Sequence, residues 1–289
     1  MAGNTLNLRY DNSTDIIFKE WAKGLSDQLI AAGWTRTADT GQIDWTAITR
    51  PTVANTSQGY EIFQMNDVLQ ATAPIFLKVE YGSGGNILYP SIWLTAGVAT
   101  SGAGALTGNI TTRQQLQSGG NTTALQAHKF DGANNRFVCA LAPEFNGAAN
   151  MIAFGIERTH GDDGSDTDAG ALFFGIGSGV KVQAPLPKAG TGASPATEGA
   201  LGCMTPLSAT SVRGTDIGLF PVFPFLGRML NPYRNLMVYF NNEITANLTI
   251  TATHYGLAHT FYTVGGSVGN FSRGTATDSA NSRLAIRFD

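Results

Sequence analysis

The sequence predicts a mainly β protein, an antiparallel sandwich or jelly-roll-like core with one N-terminal amphipathic helix. Three observations carry that prediction. Only one segment sustains a helical period. After it, short apolar runs alternate with clusters of Gly, Asn, Asp and Pro that read as turns. The 289 residues are 43% apolar and only 13% charged, with 35 glycines. That apolar content has to be buried, and short strands bury their faces by stacking as sheets.

The helix comes first. From Thr14, TDIIFKEWAKGLSDQLIAAG spaces Ile17, Trp21, Leu25 and Leu29 four residues apart. Phe18, Ala22 and Ile30 broaden the stripe. Thr14 suits the N-cap, Asp15 suits the positive end of the helix dipole, and Gly33 suits the exit. Gly24 costs about 1 kcal/mol relative to alanine, so packing has to hold this helix. An aromatic-bearing stripe reads first as core. Ile17, Trp21 and Leu25 are also candidate subunit contacts.

The strands follow in order. GYEIFQMND alternates loosely, and PIFLKVEYG places Ile75, Leu77, Val79 and Tyr81 on one face. SIWLTAGVA is its natural hairpin partner across GSGGN. NRFVCALAP and MIAFGIERT read as a second pair, and GALFFGIG as a strand after an acidic loop. GLFPVFPFLG is broken by Pro221 and Pro224, which points to an extended edge or a buried bend. Its Phe220, Phe223 and Phe225 are further candidate subunit contacts. NLMVYFNNEI, ANLTITATHYG, HTFYTVGG and SRLAIRFD close the chain as strands. The expected total is about six to ten strands. Residues 1–178 then form the helix and β core, 179–212 a long Gly/Pro/Ala-rich irregular connection, and 213–289 the strands that complete the same β unit.

Composition narrows the function classes. The net charge is −3 with no basic stripe, which argues against a nucleic-acid partner. No run approaches the length of a membrane span. The N-terminal MAGNTLNLRYDNSTD has no apolar core of signal-peptide type, which predicts synthesis in the cytoplasm. Cys139 and Cys203 have no metal-ligand spacing and read as buried free thiols. A neutral polar surface suits wide contacts with other subunits, because few charges must be desolvated.

The densest chemistry is ERTHGDDGSDTDAG, which packs Asp162, Asp163, Asp166 and Asp168 behind His160. No register meets the EF-hand requirement for ligands at positions one, three and five, Gly at six and Glu at twelve. GDDGSDTDA partly fits the calcium nonapeptide, but that motif works by stacking copies and there is one here. A wet loop between two strands is the expected reading. GGSVG, centred on Ser267, resembles a nucleophile elbow only literally, because no helix and no later histidine follow it. His128, His160, His254 and His259 fit no zinc spacing; within one strand, His254 and His259 would face opposite sides. Asp44, Glu61 and Glu80 could join a glycosidase pair only if the fold made two acids face each other. Trp45, Trp93, Tyr233 and Tyr262 could form a glycan platform only if exposed together. The expectation is therefore no catalytic, cofactor or metal residues.

One region is more specific. From Trp34 to Gly82 the text WTRTADTGQIDWTAITRPTVANTSQGYEIFQMNDVLQATAPIFLKVEYG resembles a family of tailed-bacteriophage virion structural proteins. These share a TADTGQIDW, TRP, GYEI, NDxLQATAPxFxKxEYG pattern. The helix ending in AAGW fits it, and GIERTHGDDGSDTDAGALFF and LAIRFD resemble its looser parts. The resemblance implies a non-enzymatic particle component on the tail, baseplate, collar or capsid surface. Its expected partners are copies of itself and other virion proteins, with a host surface receptor as a further candidate. A receptor- or glycan-binding module of the particle is the alternative.

Overall fold

The computed structural model describes residues 3–145, 150–178, 180–190, 202–203, 219–223, 232–240, 247–254, 256–264, 271–273, 276–278 and 282–289. The chain opens with β1 (Asn4–Tyr10) and α1 (Asp15–Ala31). A first sheet follows: β2 (Thr35–Arg36), β3 (Ser57–Gln64), β4 (Phe76–Ser83), β5 (Pro90–Thr100), β6 (Leu106–Ile110) and β7 (Gln114–Gln117). Next come β8 (Thr122–Ala133), β9 (Arg136–Leu141), β10 (Ile152–His160), β11 (Asp166–Gly177) and β12 (Val180–Pro187). The C-terminal strands are β13 (Gly202–Cys203), β14 (Phe220–Phe223), β15 (Leu236–Phe240), β16 (Thr249–His254), β17 (Leu257–Thr263), β18 (Phe271–Arg273), β19 (Ala276–Asp278) and β20 (Ser282–Arg287).

These strands form three sheets. The first has the order β2-β3-β4-β5-β6, with β7 also on β5. The second is β1-β8-β9-β10-β11-β12, and the third is β16-β17-β20-β15-β14-β13-β18-β19. Pairing is antiparallel except for the single contact of β13 with β18. In the first two sheets consecutive strands are mostly neighbours, so the sandwich is built of meanders rather than as a jelly roll. The predicted hairpin of β4 with β5 and the pair β9 with β10 are present.

The second sheet lies between the other two, and its strands β9, β10 and the second part of β11 are buried on both faces. Along β9, Phe137, Cys139 and Leu141 join the core made with α1 and the first sheet, including Trp21, Trp34 and Leu77. The intervening Val138 and Ala140 join a second core with Leu236, Tyr262, Leu284 and Ile286 of the third sheet. Burial on both faces explains why RFVCAL, IAFGIE and ALFFGI read as unbroken apolar runs rather than as alternation.

Helix α1 begins and ends as its sequence predicts. The Thr14 hydroxyl accepts the Ile17 N–H at 3.2 Å. At the exit, Gly33 at φ +96° and Trp34 donate to the Ile30 and Leu29 carbonyls, a Schellman closure with Trp34 and Leu29 both buried. Ile17, Trp21 and Leu25 are at most 5% exposed. They are core of their own chain, which corrects the expectation that they contact another subunit. Ile30 does not broaden the stripe; it is 49% exposed. Gly24 is where β1 crosses closely, since a Cβ there would sit 2.8 Å from Leu8 Cδ1.

Further corrections concern strands. The described residues alone hold twenty strands, more than expected, because strands of two to five residues leave little periodicity. The 179–212 connection is not irregular throughout, since β12 pairs along its whole length with Gly170–Gly177 of β11. Its Pro185 and Pro187 fit because β12 is a sheet edge. β14 lies between two strands despite Pro221. Its first half pairs with β15 and its second half with β13, so the proline needs a partner on one side only. Phe220 and Phe223 bound β14, while Phe225 lies outside the described residues.

Candidate functional site

The polar residues that the resemblance singles out are used for internal bonding. In the TADTGQIDW loop, Gln42 Nε2 donates to the Thr37 and Asp39 carbonyls at 2.6 and 3.2 Å, and its Oε1 accepts the Ile62 N–H at 2.8 Å. Asp39 accepts from the Thr37 and Thr100 hydroxyls at 2.7 and 2.6 Å and from the Gly104 N–H at 3.1 Å. Burial pushes its carboxyl up, but those hydrogen bonds outweigh burial and hold it below the usual range. Glu61 of GYEI is 1% exposed and accepts from Trp45 Nε1 at 3.2 Å and the Tyr81 hydroxyl at 2.9 Å, with Arg36 at 3.2 Å. Burial, and then the Glu61 charge, push the Tyr81 phenol well up.

The most concentrated chemistry is a buried ionic chain centred on β10. Adjacent residues Glu157 and Arg158 point to opposite faces of the middle sheet, as period two requires. Arg158 is fully buried and grips Asp67, of the NDxLQATAP segment, with Nε and Nη2; its Nη1 donates to the Ala73 carbonyl at 2.9 Å. Glu157 faces the third sheet and accepts the Arg234 and Asn235 N–H groups at 2.8 and 3.0 Å. Arg234 returns to the Arg158 and Gly164 carbonyls at 3.0 and 3.1 Å and pairs with Asp166 at 2.9 Å. One strand thus carries one ion toward each outer layer. The pairs tie the middle sheet to both outer layers; buried ion pairs add little net stability, because desolvation offsets their attraction. Nearby, Arg136 pairs with the buried Asp131 and donates to Asn235 Oδ1 at 3.1 Å. Burial pushes the Asp131 carboxyl up, and Arg136 opposes that.

The four aspartates of the acidic stretch do not converge. Asp163 closes its own turn, accepting the Ser165 N–H and hydroxyl at 2.9 and 2.6 Å. Asp166 takes Asn135 and Arg234, and Asp168 takes Lys188 at 2.5 Å. Asp162 is exposed. His160 instead places Nε2 2.9 Å from the Pro232 carbonyl. Among the described residues, no three His, Cys, Asp or Glu side chains are grouped as metal ligands.

The other sequence candidates are placed as follows. Asp44 caps a turn on Thr46, at 2.8 and 2.7 Å. Glu80 is held by Arg113 at 2.6 and 2.9 Å. Glu61 lies opposite Val79, and Tyr60 opposite Glu80, so Glu61 and Glu80 sit on opposite faces of their sheet. Trp93, Tyr233 and Tyr262 are at most 3% exposed, and Trp45 packs edge-on to Tyr81 at 5.3 Å. These rings do not form an exposed platform. His254 and His259 belong to two strands of one hairpin, not to one strand, and His259 pairs with Asp289 at 2.8 Å. Cys139 is a buried free thiol. Ser267 lies outside the described residues. Sequence reading missed Asp67, Arg158, Glu157 and Arg234. The one available signal was the ER pair inside an apolar strand, since a charge there must be paired to be buried.

Among the described residues no helix is long and apolar enough to cross a membrane. No family model matches the chain, and no curated protein matches it either.

Proposed function

We propose that this chain is a non-enzymatic structural component of a tailed-bacteriophage particle. It assembles as a symmetric homo-oligomer on the tail, baseplate, collar or capsid surface, beside other virion proteins. It is made in the host cytoplasm and ends in the virion. The observation that carries this reading is the Trp34–Gly82 segment. Its resemblance is to virion structural proteins, and Asp39, Gln42, Glu61 and Asp67 within it all serve internal bonds. A segment whose polar groups are spent on architecture fits a building block better than a catalyst.

The test is the solution mass of the purified protein together with negative-stain images of the same sample. Closed rings or regular multimers are expected. A monomer that cleaves surface polysaccharide would overturn the proposal.

A further inference from the structure

The middle sheet has two edges, β1 and β12, and they are treated differently. β12 carries Pro185 and Pro187, which remove donors and discourage further pairing. β1, with the sequence NTLNLRY, has neither proline nor lysine, and among the described residues it pairs with β8 alone.

The direction of its free backbone groups follows from two bonds. Thr5 N–H donates to the Asn4 side chain at 2.9 Å rather than to β8. Across the sheet, Arg158 N–H donates to the Asn135 carbonyl at 3.0 Å; carried through the registers of β9 and β8, this turns Leu6 and Leu8 toward β8. The N–H and C=O groups of Asn7 and Arg9 therefore point away from the sheet, and both residues are exposed.

Beside this edge lies a groove of about 450 Å³ between β1 and α1, lined by Leu6, Leu8 and Ile16 and by the charged Lys19, Glu20, Lys23 and Asp27 of α1. Lys23 and Asp27 pair with each other at 2.7 Å. Ile16 is 69% exposed. β1 runs antiparallel to α1: Asn4 bonds Gln28 at 2.8 Å, while Leu8 lies against Gly24. Asn7 is therefore level with the stretch between Lys23 and Asp27.

We infer that the occupant of this edge and groove is a second copy of the chain, paired β1 to β1 in antiparallel fashion about a twofold axis near Asn7. The inference rests on the homo-oligomeric reading above and names its contact. An open edge accepts any extended strand, but the rim selects among them. A twofold axis at this level lays Lys23 against the partner's Asp27, and Asp27 against the partner's Lys23. The internal Lys23–Asp27 pair of one copy thus meets that of the other head to tail, whereas a parallel copy would set like charges together. Joining the edges continues the middle sheet through both copies and covers Leu6, Leu8 and Ile16.

The test is sedimentation velocity of the full chain from micromolar to hundreds of micromolar. The wild type is expected to form dimers or higher even-numbered species. Asn7→Pro removes only an outward donor and is expected to halve the mass, with unchanged circular dichroism. Lys23→Asp sets like charges together between the copies as well as within α1, and is expected to weaken association about tenfold. Adding Asp27→Lys is expected to restore it. The charge pair decides alone if Asn7→Pro does not fold. A wild-type monomer throughout the range overturns the inference. A wild-type oligomer whose mass none of these variants changes also overturns it, and leaves the homo-oligomeric reading standing.

Discussion

Removing Asp67 isolates the energetics of the buried ionic chain. Arg158 has no exposed surface, and its guanidinium is satisfied by both Asp67 oxygens and the Ala73 carbonyl. Asp67→Ala leaves the full cation in the interior with one carbonyl. Breaking a buried pair from one side costs about 3–5 kcal/mol, because the remaining charge cannot rehydrate. Replacing both partners, as in Asp67→Ala with Arg158→Met, removes the stranded charge. It is expected to recover more than half of that loss, leaving mainly a packing defect. Urea unfolding followed by tryptophan fluorescence reads the effect through Trp34, which donates to the Ala133 and Arg136 carbonyls at the end of the same sheet. The single variant should lower the midpoint sharply at unchanged slope. A loss under about 1 kcal/mol, or a double variant no more stable than the single one, would refute the account.

Three further outcomes are expected. His128 is buried against Tyr10, ring centroids 5.4 Å apart, and burial lowers its pKa from 6.5 to about 4. The unfolded chain binds its proton first, so stability is full above pH 6.5 and falls toward pH 4, by up to about 3 kcal/mol. His128→Phe should flatten that slope; an unchanged slope would assign it to other groups. Asp131, raised by burial, contributes with the opposite sign just above the carboxylate range, so the two must be separated by variants. Alanine at Asp162 should leave the melting temperature unchanged, and alanine at Asp163 should lower it only slightly through the exposed turn bonds to Ser165, alike with calcium or chelator. Asp166→Ala, which takes one partner each from Asn135 and Arg234, should cost about 1–3 kcal/mol. A chelator-dependent melt in the wild type alone would revive a metal site. The Cys139 thiol, pushed up by burial, should resist aromatic disulfide reagents until the chain unfolds; rapid labelling at pH 8 would contradict its placement.

Much of the local structure is legible in the sequence. Thr14, the four-residue spacing and Gly33 delimited α1, because caps and period are properties of neighbouring residues. Strand pairs next to each other in sequence, such as β4 with β5, followed from alternation and turn chemistry. β1 was missed. NTLNLRY is short, partly polar, and pairs with β8 more than a hundred residues away, which no local pattern reports.

By itself the sequence determined a mainly β chain, one capped helix, and an acidic stretch with no metal register. Each of these depends on residues within a turn or two of one another. The tertiary structure decided what each face meets. It made three layers, with a middle sheet buried on both sides, where alternation disappears because both faces are apolar. It turned Ile17, Trp21 and Leu25 inward, separated Glu61 from Glu80 across a sheet, and brought Asp67 to Arg158. Side-chain period tells which residues share a face. The partner of that face is chosen by long-range packing, where a buried charge is tolerated only when its counterpart arrives from another layer.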